Sequence, residues 1–152
     1  MARKAVLLAV MALFLSACGS GPGAKIASSK FVDSINAGGV MYTYQGKQII
    51  EITLNFTFDK SLAAGLDPAS EDYRKSLYAK LVKGAHFFYA EEELEHTYGY
   101  WPSEAGSTYA KEMTLFYVVP AKHAVKDLRF TYDGNVLGEG ANGLDTQIKP
   151  ER

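Results

Sequence analysis

The feature that most constrains the fold is a run of alternating apolar and polar side chains over residues 50–59. Apolar side chains occupy the even positions from Ile50 to Phe58, and polar side chains occupy the odd positions from Glu51 to Asp59. A period of two is typical of a β-strand, because successive side chains of a strand point to opposite faces. The run therefore predicts a strand with one face in the core and the other in water.

Shorter stretches of the same kind predict about six or seven strands in total. The preceding segment, 40–44, alternates as well, and a short polar connection predicts that it forms a hairpin with the strand at 50–58. Turn residues are expected at 36–39, and Asp133-Gly134 is typical of a hairpin turn. The remaining predicted strands lie at 31–35, 85–90, 112–119, 128–132 and, as a last edge strand, 144–148.

One helix interrupts the predicted strands, over about residues 68–82. Glu71 and Asp72 suit a helix start, where the helix dipole favours negative charge, and Gly84 suits the residue after the end. Leu77 and Leu81 are four residues apart and so share one helix face. A strand through the same leucines stays open as the alternative.

The amino terminus has the features of an export signal. Arg3 and Lys4 precede an uncharged apolar run of eleven residues, Ala5 to Leu15. That run is too short to span a bilayer as a helix, which takes about 20 residues. It ends in Leu15-Ser16-Ala17-Cys18, and Cys18 is the only cysteine of the chain, so no intramolecular disulfide can form.

This ending resembles the lipobox of bacterial lipoproteins. The resemblance implies that residues 1–17 are a removed signal peptide and that Cys18 becomes the acylated first residue, anchored in a membrane by its fatty acyl (palmitate-type) chains. Several acyl chains hold a protein firmly, whereas one holds it only marginally. The small residues that follow predict a tether, so residues 18–29 are expected to be anchor and tether and residues 30–150 one domain.

The resemblance also implies a location in the bacterial cell envelope. Gly19 follows the cysteine, which in a Gram-negative host favours the outer membrane; in other hosts the cell membrane is expected. Removal of Arg3 and Lys4 leaves 14 basic against 17 acidic residues, a net charge of −3. That balance argues against a nucleic-acid partner, because phosphate binding needs a basic surface.

Two segments near the carboxyl end are similar to immunoglobulin-like domains of uncharacterised bacterial lipoproteins. They are the strand ending in Val119-Pro120 and the following run Asp127-Leu128-Arg129-Phe130-Thr131-Tyr132-Asp133-Gly134. With the strand spacing, the similarity predicts a mainly β fold: an antiparallel immunoglobulin-like sandwich with one inserted helix. The family implies no catalytic residues.

Candidate chemistry is sparse, and the sequence predicts a non-enzymatic protein without a cofactor. Ser107 lacks the G-x-S-x-G setting of a nucleophile elbow. Glu92 and His96 have a spacing of four beside further glutamates, but a metal site needs three or four converging ligands. A metal or small ligand bound by 91–96 stays open as an alternative function, as does a purely structural envelope role.

The most suggestive binding feature is the aromatic cluster Tyr98, Tyr100 and Trp101, expected in a loop. Aromatic side chains of this kind are enriched where proteins bind their partners. The cluster predicts a surface for a protein or glycan partner. The alternative is that the rings fold back over the core.

Overall fold

A computed structural model describes residues 21–58, 62, 65, 67, 70–101, 112–121 and 127–152 of the chain. These residues form a β-sandwich with one inserted helix, which confirms the predicted fold class. The strands are β1 (Gly23–Val32), β2 (Ile35–Ala37), β3 (Val40–Tyr42), β4 (Lys47–Thr57), β5 (Ala85–Tyr89), β6 (Glu92–Leu94), β7 (Tyr98–Tyr100), β8 (Glu112–Pro120), β9 (Leu128–Tyr132) and β10 (Leu144–Gln147).

The strands form two four-stranded antiparallel sheets and a separate hairpin. The first sheet has the order β1-β4-β8-β7, and the second has the order β10-β9-β5-β6. Strands β2 and β3 pair only with each other. The hairpin follows β1 directly, and its Ile35 packs on the outer face of the first sheet, the face turned away from the second sheet.

The core lies between the two sheets. The even-numbered apolar residues of β4, from Ile50 to Phe56, are at most 2% exposed. They meet the inner faces of β8, β9 and β5, and the rings of Phe87 and Tyr117 stack across the interface with centroids 4.5 Å apart. The apolar face of β4 is therefore buried, as its alternating pattern predicts.

The other face of β4 is not fully in water, contrary to the prediction. Thr53 is only 8% exposed, and its hydroxyl lies 3.1 Å from that of Thr114 on β8. Ile49 is 2% exposed, because Ile35 of the hairpin and Phe116 of β8 cover it. The outer face of the first sheet thus has a small apolar core of its own where the hairpin covers it.

The helix α1 spans Glu71–Leu81 and continues as a 3₁₀ turn over Val82–Gly84, as predicted within a few residues. Leu77 and Leu81 are fully buried, because the helix packs this face on the sandwich. The alternative of a strand here is wrong. Gly84 does not end the helix in a left-handed conformation; a Cβ at this position would lie 2.7 Å from the ring of Tyr132.

The first strand begins earlier than the sequence suggested. The composition predicts that residues 23–29 are part of the tether, but they belong to β1 and pair with β4. Ala24 is 3% exposed and packs in the core opposite Phe56, so small residues serve here as close-packed strand residues. Residues 18–20 of the predicted tether lie outside the described residues.

One predicted hairpin is wrong, and a second lacks its predicted tight turn although its strands β9 and β10 pair antiparallel. Strand β3 does not pair with β4, because β1 and β8 occupy both edges of β4. The turn at Asn36–Gly39 is confirmed, but it joins β2 to β3. Asp133 does not begin a two-residue turn: its side chain accepts a hydrogen bond from the Asn135 amide and caps a 3₁₀ turn before β10. The predicted last edge strand is present as β10.

Candidate partner-binding site

Two of the three predicted aromatic residues lie together on the outer face of the first sheet. Tyr98 and Tyr100 belong to β7, a strand rather than the expected loop, and pair with Phe116 and Thr114 of β8. The rings of Tyr98, Tyr100 and Phe116 form what we call the aromatic ladder, with centroids 6.1–6.2 Å apart. Tyr100 is 41% exposed, Tyr98 is half-buried and Phe116 is buried.

The third residue, Trp101, does not belong to this surface, and its assignment to the exposed cluster is wrong. It is 8% exposed and stacks on Phe56, with centroids 6.3 Å apart and the ring planes 12° from parallel. Since strand residues alternate between faces, the residue after Tyr100 turns towards the core. The alternative of rings folding onto the core is therefore right for Trp101.

Gly99 positions the two tyrosines from the inner side of β7. A Cβ at this residue would lie 2.7 Å from Cδ2 of Leu115 and clash with the Tyr78 hydroxyl. The helix residue Tyr78 therefore reaches the backbone of β7, and its hydroxyl lies 3.3 Å from Nε2 of His96. Burial, with Tyr98 nearby as a smaller cause, raises the pKa of Tyr78 above its ordinary value of 10.0, so this phenol stays neutral at physiological pH.

The hairpin of β2 and β3 borders the ladder and forms a cleft with it. This hairpin cleft has a volume of about 320 Å³, within the range of ligand pockets. Its lining contains four hydroxyl groups and no charged side chain. The lining residues are Ile35, Ala37, Tyr42, Tyr44, Thr97 and Tyr98.

The large apolar side chains that the described part of the chain exposes all lie on the hairpin or the ladder. They are Val40 (52% exposed), Met41 (59%), Tyr42 (47%) and Tyr100 (41%). The sequence reasoning missed the hairpin residues. A signal was present, since the thirteen residues 34–46 carry no charged side chain in a chain with 22% charged residues.

The acidic segment 91–96 does not assemble a metal site among the described residues. Nδ1 of His86 lies 2.5 Å from Oε1 of Glu93, and His96 contacts Tyr78 instead of a carboxylate. No group of three or more histidine, cysteine, aspartate or glutamate side chains converges in the part of the chain that the structure describes. The segment instead forms the turn into β6 and that edge strand.

The predicted lipidation residue, Cys18, and the signal segment 1–17 lie outside the described residues. Within the described ranges, no helix has the length and apolar character needed to cross a membrane.

The chain was compared with protein-family models, with curated protein sequences and with solved structures, and none of the three comparisons found a match.

Proposed function

We propose that this chain is a non-enzymatic, lipid-anchored protein of the bacterial cell envelope that binds a protein or glycan partner. The anchor rests on the sequence Leu15–Cys18 and on its resemblance to a lipobox. The partner-binding role rests on the surface formed by the aromatic ladder and the hairpin cleft.

The observation that carries this proposal is the concentration of exposed apolar side chains on one outer face. Tyr42 and Tyr98 line the cleft, and Tyr100 extends the same surface along β7. Contiguous exposed apolar surface of this kind marks interaction sites on soluble domains. Tyrosine suits such a site, because its ring offers a large rigid contact and its hydroxyl can hydrogen-bond to a partner.

The start of β1 gives the surface an orientation in this proposal. Five residues lead from Cys18 to Gly23, which span at most roughly 17 Å. Strand β1 then extends for ten residues, roughly 30 Å, to the end where the hairpin begins. An anchored molecule would therefore hold its hairpin on the side away from the membrane, accessible to a partner.

Site-specific photocrosslinking in the native envelope tests the partner-binding role. A photoreactive residue at position 100 should capture a partner, and the Tyr98→Ala substitution should weaken that capture. The matched control is a photoreactive residue at Phe88, a ring on the outer face of the second sheet. The same captured material from positions 88 and 100 would contradict the proposal.

The anchor is tested separately by metabolic labelling with a fatty acid. Cys18→Ser should abolish labelling and signal removal while leaving the melting temperature of the domain unchanged. Full labelling of the Cys18→Ser chain would contradict the proposed anchor.

A further inference from the structure

The two methionines that the structure describes differ completely in exposure. Met41 on β3 is 59% exposed, whereas Met113 on β8 is 0% exposed and belongs to the core between the sheets. Met1 and Met11 lie outside the described residues. A peroxide oxidises a methionine sulfur that it can reach, so only one of the two described methionines is open to this reaction in the folded protein.

The register of the hairpin directs the Met41 side chain into water. Residues that lie opposite each other on paired strands share one face, and here Ile35 lies opposite Tyr42 and Asn36 opposite Met41. Ile35 is 1% exposed because it packs on the first sheet, so it marks the inner face of the hairpin. Met41 and the exposed Asn36 therefore lie on the outer face of the hairpin.

Met113 serves as an internal reference for the same chemistry. It pairs with Leu54 of β4, and both side chains are fully buried. Strand β8 lies between β4 and β7 in the first sheet, so no edge of the sheet exposes it. An oxidant reaches Met113 only when these strands separate, and core strands open rarely in a stable domain.

We propose that Met41 is a site of reversible oxidation and that its sulfoxide weakens partner binding at the hairpin. Hydrogen peroxide transfers one oxygen atom to the sulfur: the O–O bond breaks, an S–O bond forms, and water leaves. The sulfur gives up two electrons, and the peroxide takes them. Methionine sulfoxide reductases return the thioether with electrons from thiols.

Oxidation places a polar group in the middle of an exposed apolar strand. Val40, Met41 and Tyr42 are 52%, 59% and 47% exposed, and no charged side chain lies within residues 34–46. A partner that covers the sulfoxide must remove water from its oxygen, which is unfavourable unless a new hydrogen bond replaces the lost ones. The weakened binding rests on the proposed function, whereas the site of oxidation does not.

Dilute hydrogen peroxide applied to the full chain in membranes tests the site of oxidation. Peptide mass spectrometry assigns each added oxygen atom to a residue. Met113 should be oxidised at least about 100-fold more slowly than Met41, because a stable domain is rarely open. In urea that unfolds the domain, the two rates should become equal. Equal rates in the folded chain, or a Met41 that resists oxidation, would overturn the inference.

The photoreactive residue at position 100 measures the effect of oxidation on binding. Oxidation of Met41 should lower capture of the partner by about fivefold or more, the ratio that corresponds to burial of one unpaired polar group. Sulfoxide reductases specific for the two epimers should together restore the capture. Met41→Gln should lower capture without peroxide, because its amide is polar as well.

Met41→Leu is the matched control for this measurement. Leucine keeps an apolar side chain of similar volume and has no sulfur to oxidise, so capture should be the same before and after peroxide. Unchanged capture by a chain with fully oxidised Met41, or an equal loss in Met41→Leu, would overturn the effect on binding. Absence of capture by the untreated chain would contradict the proposed function, while the two oxidation rates still decide whether Met41 is the site of oxidation.

Discussion

The two outer faces of this sandwich differ in how they meet water. The outer face of the second sheet carries paired polar side chains: Arg129 lies 3.3 Å from Asp145 and over the ring of Phe88 at 4.6 Å, and His86 bonds to Glu93. The first sheet also has an ion pair on its outer face, between Lys30 and Glu51 at 3.4 Å, but beneath the hairpin its buried side chains are Phe116 and Ile49. One fold thus has a face on which pairs of polar side chains dominate and a face with a small apolar core beneath the hairpin.

The largest expected difference between the faces is in stability. Phe116→Ala removes a 4% exposed ring that supports the hairpin and both ladder tyrosines, so we expect a loss of about 3 kcal/mol in the free energy of unfolding. Phe88→Ala removes a partly exposed ring and should cost about 1 kcal/mol. Urea denaturation of both variants measures the difference. Equal losses would show that the outer face of the first sheet has no core of its own.

Alkaline pH tests how strongly the core between the two sheets holds its buried tyrosines neutral. Burial raises the pKa of Tyr117 and of Tyr132 well above the ordinary value of 10.0. Below pH 10 these two tyrosines are neutral in both the folded and the unfolded protein. Their full contribution to the free energy of unfolding is then present. Above pH 10 the unfolded chain ionises first, so stability falls with pH, by up to about 1.4 kcal/mol per pH unit for each such tyrosine.

Urea midpoints at pH 8, 10 and 11 measure this dependence. Tyr117→Phe should flatten the decline between pH 10 and 11. An unchanged slope in that variant would show that Tyr117 does not contribute to it.

Salt should distinguish the exposed Arg129 cluster of the second sheet from the buried Phe116 of the first sheet. Arg129→Ala removes the pair with Asp145 and the contact with Phe88, and because Arg129 is about one-third exposed we expect a loss of only about 1 kcal/mol. In 1 M NaCl this loss should shrink, since salt screens exposed charges. The loss from Phe116→Ala should not change. Thermal denaturation at low salt and in 1 M NaCl measures both losses. If salt leaves the loss from Arg129→Ala unchanged, the effect of Arg129 is due to packing alone.

The smallest expected effect is a gain at the turn between β5 and β6. Ala90 and Glu91 have φ angles of 48° and 67°, which side chains disfavour, whereas the β2–β3 turn uses two glycines in this region. Glu91→Gly should therefore stabilise the protein by about 0.5 kcal/mol, a value reduced by the loss of the long contact to Arg129. Gly38→Ala should destabilise it by a similar amount. Differential scanning calorimetry would reveal both, and a lower melting temperature for Glu91→Gly would contradict the argument.

The sequence predicts elements well where burial produces a period. The alternation in β4 and the leucine spacing in α1 follow directly from one buried face, and both elements are present near their predicted ends. The sequence fails where tertiary contacts decide. Gly23 and Ala24 have the composition of a tether, and their pairing with β4 and the close approach of Asn142 make them part of a strand.

The candidate site follows the same division. Tyr98 and Tyr100 could be selected as large rings in one short segment, but the side on which each ring lies depends on the pairing of β7 with β8. A three-residue strand is too short to show a period, so Trp101 could not be separated from its neighbours. The alternation within residues 35–44 indicates extended strands but not which strands they pair with, so the pairing of β3 with β2 does not follow from the sequence.

Gly99 has a consequence for how the surface can diversify. The strand that displays Tyr98 and Tyr100 is held on its other side by the Tyr78 phenol and Leu115, which leave no room for a Cβ at position 99. Position 99 therefore accepts only glycine, whereas the side chains of residues 98 and 100 point outwards. Residues 98 and 100 can therefore be exchanged while the strand that carries them keeps its place, and in the proposed binding role such exchanges would alter which partner is bound.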